Sequence, residues 1–285
     1  MIASPISISR GTLHGMRVLG LYVLALLMAA FSLFPLVIAL GTALKPPGTA
    51  TSDLGIFPAH PSWSNFSYIF TETSLLTYVK NSVIVTAATT ALVLAGASLA
   101  AYAFSRLTFF LKNVLYPLFL MGLMLPFVVV LVPLFHMEER LHLFNTYGAL
   151  ILPYVGFGLP FAILLLKNYF DSVPREMEEA ALVDGASRLR TFLAIVLPMT
   201  TPALSTVAIF QAVGSWNEFL FALLFMTKDA MRTVPLAIIP FIGQFGNQTE
   251  YMFAMLLVIT LPPVVLFVAM QRYFVSGLTA GAIKG

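Results

Sequence analysis

Apolar residues in this chain are gathered into long runs, and that pattern limits the fold more than any other feature. The runs lie near Val18–Leu44, Val83–Phe104, Val114–Phe135, Tyr147–Leu166, Leu204–Met226 and Tyr251–Gln271. A run of about 18 or more such residues predicts a membrane-spanning helix. Composition agrees: 59% of the 285 residues are hydrophobic and 9% charged, where a soluble domain carries about 25% charge, and the mean hydropathy is +0.94. The expected fold is therefore all-α, a polytopic membrane protein with six transmembrane helices. Proline sits in or beside most runs (Pro35, Pro117, Pro126, Pro153, Pro160, Pro262, Pro263), which membrane helices tolerate because neighbouring groups re-satisfy the freed carbonyls. The first run exceeds the 7–15 residues of a signal-peptide core and lacks a clear cleavage site, so it is expected to be retained. In the second, Ala87, Ala91 and Ala95 recur every fourth position, as do Ala97 and Ala101. Such spacing lets helix backbones approach closely, and packing within the subunit is expected.

Six spans with the N-terminus inside put ten lysines and arginines on the inner side and five on the outer. The positive-inside bias then predicts cytoplasmic termini at both ends. The net charge of +3 follows from this topology and gives no indication of nucleic acid. No cysteine occurs, which excludes disulfides and thiolate metal sites.

Charge is concentrated in one place. Arg175–Arg190, "REMEEAALVDGASRLR", holds seven charged side chains in sixteen positions, between the fourth and fifth runs. Pro174 suits a first helical position, and Glu176, Glu178 and Glu179 lie where a helix dipole favours negative charge. Met177, Ala180 and Ala181 share a face. Asp184-Gly185 signals a helix stop with a left-handed residue, and a second helix can restart near Ser187. The expectation is a helix–turn–helix finger at the inner membrane face, its alanine face flat enough for another protein's groove.

The spacing Glu179-Ala180-Ala181, three residues, Gly185, nine residues, Ile195-x-Leu197-Pro198 resembles the cytoplasmic EAA signature of ABC importer permeases. "SWNEFLFAL" (Ser215–Leu223), "NTYGALILPY" (Asn145–Tyr154), "LKPP" (Leu44–Pro47) and "GLTAGAIKG" (Gly277–Gly285) are similar to the carbohydrate-uptake branch, above all to the second permease subunit of maltose-type importers. The resemblance implies a type I importer fold with a five-helix permease core. The expected parts are a cytoplasmic N-terminus (1–17), a first helix (18–44), an extracytoplasmic loop (45–75), the core (76–272) and a cytoplasmic tail (273–285). It implies a homologous second permease as partner, an extracytoplasmic solute-binding protein, and two ATPase subunits docked on Met177, Glu178, Glu179, Ala180, Ala181, Asp184, Gly185, Ala186 and Arg188. Ala280, Gly281 and Lys284 of the tail would meet the same ATPases. A multi-pass protein of a bacterial or archaeal cytoplasmic (inner) membrane, carrying a sugar by alternating access, is implied. No G-x-x-x-x-G-K-[ST] phosphate loop is present. ATP and magnesium are therefore expected in the partner ATPases, with no cofactor bound by this chain.

Glu218 is the one acid inside an expected span, where a carboxylate costs about 2.5–3.5 kcal/mol and should face a cavity or partner. With Gln211, Ser215, Trp216 and Asn217 it is a candidate for the translocation path or gate; the alternative is a capping role near the outer interface. His136, Glu139 and His142 do not match a metal-binding pattern, and an interfacial amphipathic helix accounts for them equally well. In the outer loop Lys228–Glu250, Phe241, Gly243, Gln244, Phe245 and Gly246 form a candidate docking surface for the binding protein, with both phenylalanines presented outward. A secondary transporter or channel with its own ion coupling is the competing reading, disfavoured by a single intramembrane acid and no inverted repeat.

Overall fold

The computed structural model describes the backbone of residues 10–243 and 246–282, with side chains from 17 to 242 and from 248 to 271. Two compact units are present: residues up to Thr71 with Phe241–Leu257, and Glu72–Pro240 with the chain from Val258 onward.

The first unit holds α1 (Arg10–Ala43), α2 (Ser64–Thr71) and the start of α12 (Thr249–Ala282). Leu19–Phe34 of α1 are exposed along its length, as expected of a helix solvated by lipid or by a partner helix. The loop after it is ordered around buried polar groups. Asn65 donates through Nδ2 to the carbonyls of Ala43 (2.8 Å) and Lys45 (2.7 Å). Lys45 reaches the carbonyl of Asp53, and Glu250 accepts from the backbone N–H of Gly48. Buried loop backbone needs such partners.

The second unit is built on α3 (Leu75–Arg106), which contains no proline, and α6 (Gly148–Ser172) and α10 (Thr201–Asn217) pack on it. Val93, Ala97, Ala101 and Phe104 of α3 meet Ala162, Ile163, Leu166 and Phe170 of α6 in one core. A second core joins Val85, Leu134, Leu150, Tyr154, Phe221 and Phe225. Of the two alanine series, Ala97 and Ala101 pack as expected. Ala87, Ala91 and Ala95 do not: they are exposed, and the first two line an apolar groove with Ala212, Trp216, Pro262 and Pro263. A four-residue repeat fixes a face but not what covers it.

Among the described residues four helices are long and apolar enough to cross a membrane, or six spans form if two bent pairs are each counted as one. The third expected span is α4 (Lys112–Met121), a 3₁₀ turn and α5 (Phe127–Arg140), bent by 101°. Leu125 is extended there, because a residue before proline is pushed out of the helical region, and Pro126 is extended as well. The fifth run is also interrupted. After α7 (Arg175–Val183) and α8 (Arg188–Thr191) come a π-helical turn at Phe192–Val196 and α9 (Leu197–Met199). A 76° bend leads into α10, which stops at Asn217 before α11 (Leu220–Phe225) begins. At the loop before β1 (Ile242–Gly243) and β2 (Gly246–Asn247), Asp229 ties the chain to the start of α3. Ser74 donates to it (2.8 Å), as does Tyr78. Asn81 Nδ2 donates to the carbonyls of Ala230 (3.0 Å) and Arg232 (2.8 Å).

The bonds from Tyr78 and Ser74 hold the Asp229 carboxyl below its ordinary range. A depressed folded pKa contributes stability above the unfolded value of about 3.9, and that contribution is lost as pH falls through the folded value. Protection factors of amides 229–234 should therefore stay level from about pH 8 to 5 and fall below about 4. Asp229→Asn should lower them at neutral pH and flatten the profile; a parent-like profile in this variant would exclude the assignment.

Candidate functional site

The break between α10 and α11 opens a cavity of about 410 Å³, lined by Gly122, Pro126, Phe127, Tyr154, Phe157, Gly158, Gln211, Gly214, Ser215, Glu218 and Phe221 among others. Glu218 is not inside a helix, as the continuous run had suggested; it stands at the break. Its Oε1 accepts from the backbone N–H groups of Leu220 (2.8 Å) and Phe221 (2.9 Å), and its Oε2 from Ala222 (3.2 Å). The Tyr154 hydroxyl donates to Oε2 at 2.6 Å. The carboxylate thus caps α11, where the dipole favours negative charge, and links it to α6. Capping and cavity-lining, set out as alternatives in the sequence, coincide here.

Gln211 and Ser215 line the same cavity, with Gln211 Nε2 donating to Ser215 Oγ at 3.1 Å. A Cβ on Gly158 would lie 2.2 Å from Gln211 Oε1, so a larger residue there would force the Gln211 amide to move. Trp216 turns away: its indole N–H donates to the Ile259 carbonyl of α12 at 3.1 Å. Asn217 is exposed at the end of α10. Tyr154, Phe157, Gly158 and Phe127 were not picked from sequence; Tyr154 ends the quoted stretch "NTYGALILPY", the only available signal. The ring of Phe221 stacks on Tyr154 at 6.1 Å.

The finger forms as α7, a turn and α8. Gly185 has φ +85°, its N–H donates to Leu182, and Ala186 N–H reaches back to the Ala181 carbonyl at 2.9 Å, the bond pattern of a glycine-terminated helix. Ser187 accepts from Arg190 N–H at 3.3 Å and caps α8. Met177, Glu179, Ala180, Asp184, Gly185 and Arg188 are exposed, and Ala181 and Ala186 half-buried. Glu178 departs from this set. It is buried, 2.5 Å from Arg106 Nε at the end of α3, and accepts from Tyr102 OH at 3.1 Å. Its side chain is committed inside the subunit.

In the outer loop, Phe241 is buried, its ring 6.1 Å from that of Tyr251, so it is not presented outward; Ile242 is exposed instead. Gly243 pairs with Gly246. Gln244, Phe245 and Lys284 lie outside the described residues. Ala280 and Gly281 fall in the backbone of α12 with their side chains outside them. His136 Nδ1 is 3.7 Å from Glu139 on an exposed surface, His142 takes φ 55°, and no group of three metal-capable side chains gathers among the described residues.

This fold is that of ABC importer permeases. It matches a chain of a bacterial ABC transporter involved in import of the acidic polysaccharide alginate (TM-score 0.76, 20% identity, 95% of this chain and 100% of that one). The protein belongs to the family described as the binding-protein-dependent transport system inner membrane component, whose profile covers residues 92–280. The trehalose/maltose transport system permease MalG of Thermococcus litoralis is 38% identical over 266 residues, 92% of this chain and 95% of that one. The sulfoquinovosyl glycerol transport system permease SmoH of Agrobacterium fabrum is 36% identical over 265 residues, 93% of each. The chain is thus a membrane-spanning permease subunit of a binding-protein-dependent ABC importer.

Replacing Glu218 by Leu leaves three N–H groups and the Tyr154 hydroxyl without their acceptor. Hydrogen bonds to a charged group contribute about 1.5–3 kcal/mol, so uptake by the assembled transporter in vesicles should fall about tenfold or more. Tyr154→Phe, which removes one bond, should cost about two- to fivefold. Parent-like transport by Glu218→Leu would show that the cap is dispensable.

Proposed function

We propose that this subunit passes a sugar across the cytoplasmic membrane by alternating access, driven by ATP hydrolysis in partner subunits. The exposed finger carries the reading: a short helix presenting Glu179, Ala180 and Ala181, closed by a left-handed Gly185, offers a compact surface to a protein groove. Two ATPase subunits, holding ATP and magnesium, would dock there and on the mate of this chain, a homologous second permease. The sugar assignment is supported by relatives named for trehalose/maltose and sulfoquinovosyl glycerol transport. It also fits the cavity's chemistry: Phe127, Phe157 and Phe221 supply apolar faces for sugar C–H groups, while Gln211 and Ser215 supply hydroxyl partners. A solute-binding protein would deliver the sugar on the side of the 228–250 loop. A solved alginate transporter in complex with its oligosaccharide-bound periplasmic protein, of similar fold (TM-score 0.66), supports that partner. Both termini would then be cytoplasmic, as the lysine and arginine bias favours.

Gly185 has open space around it, so a substitution there acts through the backbone: a left-handed conformation costs an L-residue about 1–2 kcal/mol, more for a β-branched one. Gly185→Val and Glu179→Lys should insert in the membrane normally yet lower capture of the ATPase subunits about tenfold. Normal capture by both variants would refute docking at the finger.

A further inference from the structure

Helix α3 is pinned at both ends. At one end Arg106 donates through Nε to Glu178 of the finger at 2.5 Å and through Nη2 to the Val173 carbonyl at 2.7 Å. Tyr102, one turn earlier, donates to the other Glu178 oxygen. The pair is buried, with side chains 7% and 9% exposed. Ser105 adds a 2.6 Å bond to Asp171, itself paired with Lys167 at 2.6 Å. At the other end Ser74, Tyr78, Asn81 and Ser82 hold residues 229–234; the last accepts from Val234 N–H at 2.8 Å. Tyr147 braces Asn81 Oδ1 at 2.8 Å.

The helix that carries both sets of contacts is 32 residues long without a proline, about 48 Å at 1.5 Å per residue. The neighbouring spans are each interrupted or contain proline: α4, α5, α6 and α12 carry internal prolines, and α10 follows a 76° bend and ends at Asn217. Kinks form at prolines and helix interruptions, and α3 runs continuously without a proline. A buried carboxylate held through both oxygens, one by Arg106 and the other by Tyr102, fixes direction as well as distance, because breaking it strands a charge in a medium that solvates it poorly.

From this we infer that α3 is a rigid connecting rod, with Arg106, Glu178 and Tyr102 as positioning residues that transmit movement of the finger to the 229–234 loop at the far end of the helix. The inference rests on the reading of the finger as the ATPase dock. Glu178 then does not contact the ATPase; it converts the finger's displacement into a displacement of α3.

The test uses the assembled transporter with its ATPase subunits, second permease and binding protein, probed with Mg-ATP and orthovanadate. In the parent, trapping the ATPases should change amide exchange at residues 229–236. In Glu178→Ala, ATPase capture should persist while that response falls about tenfold. The swap Arg106→Glu with Glu178→Arg should restore at least half of it. Tyr102→Phe, a milder change, should weaken the response about threefold. A response in Glu178→Ala equal to the parent's would overturn the proposal. So would loss of ATPase capture in that variant without rescue by the swap, since Glu178 would then only build the docking surface. Failure of the parent itself to capture ATPases would instead refute the finger reading.

Discussion

A helix that breaks inside a membrane exposes N–H and carbonyl groups that no water is present to satisfy. This protein breaks its helices at Pro126, Thr200 and Glu218, and each break has its own remedy. Pro126 has no N–H to satisfy. Thr200 turns its hydroxyl back onto the carbonyls of Val196 and Leu197. Glu218 covers three N–H groups at once. The cavity exists because the last repair is local: a carboxylate caps α11, so the chain can change direction and leave space in front of α6.

The long unbroken spans, the finger and its Gly185 turn were legible in the sequence, because apolar runs, a proline start, clustered glutamates and Asp-Gly act locally. The bends were not. Val114–Phe135 and Leu204–Met226 are as apolar as a straight span, and hydropathy carries no information on direction. Glu218 was singled out for its cost in hydrocarbon, yet its partners lie two to four residues ahead and, in Tyr154, on another helix. Trp216 looked like a path residue by adjacency, but one step along a helix is about 100° of rotation, and it bonds to α12 instead. Glu178 and Glu179 are neighbours in a glutamate cluster with opposite environments, one buried against Arg106 and one exposed. Only the long-range contact separates them.

The two cores divide the labour of the second unit. Around Ala97, Ala101, Ala162 and Ile163 small side chains bring α3 and α6 together, which places Tyr102 and Arg106 within reach of the finger. Around Tyr154, Phe221 and Phe225 large rings fill the space beside the break, and their stacked faces hold α11 where a six-residue helix alone would be marginal.

The crowding of Glu218 has a consequence for energetics. A carboxylate offers about four lone-pair directions, and here Leu220, Phe221, Ala222 and Tyr154 occupy that number. A sodium ion would have to displace an existing partner to bind. The acid beside the cavity is thus saturated with partners from its own chain and is a poor seat for a cation.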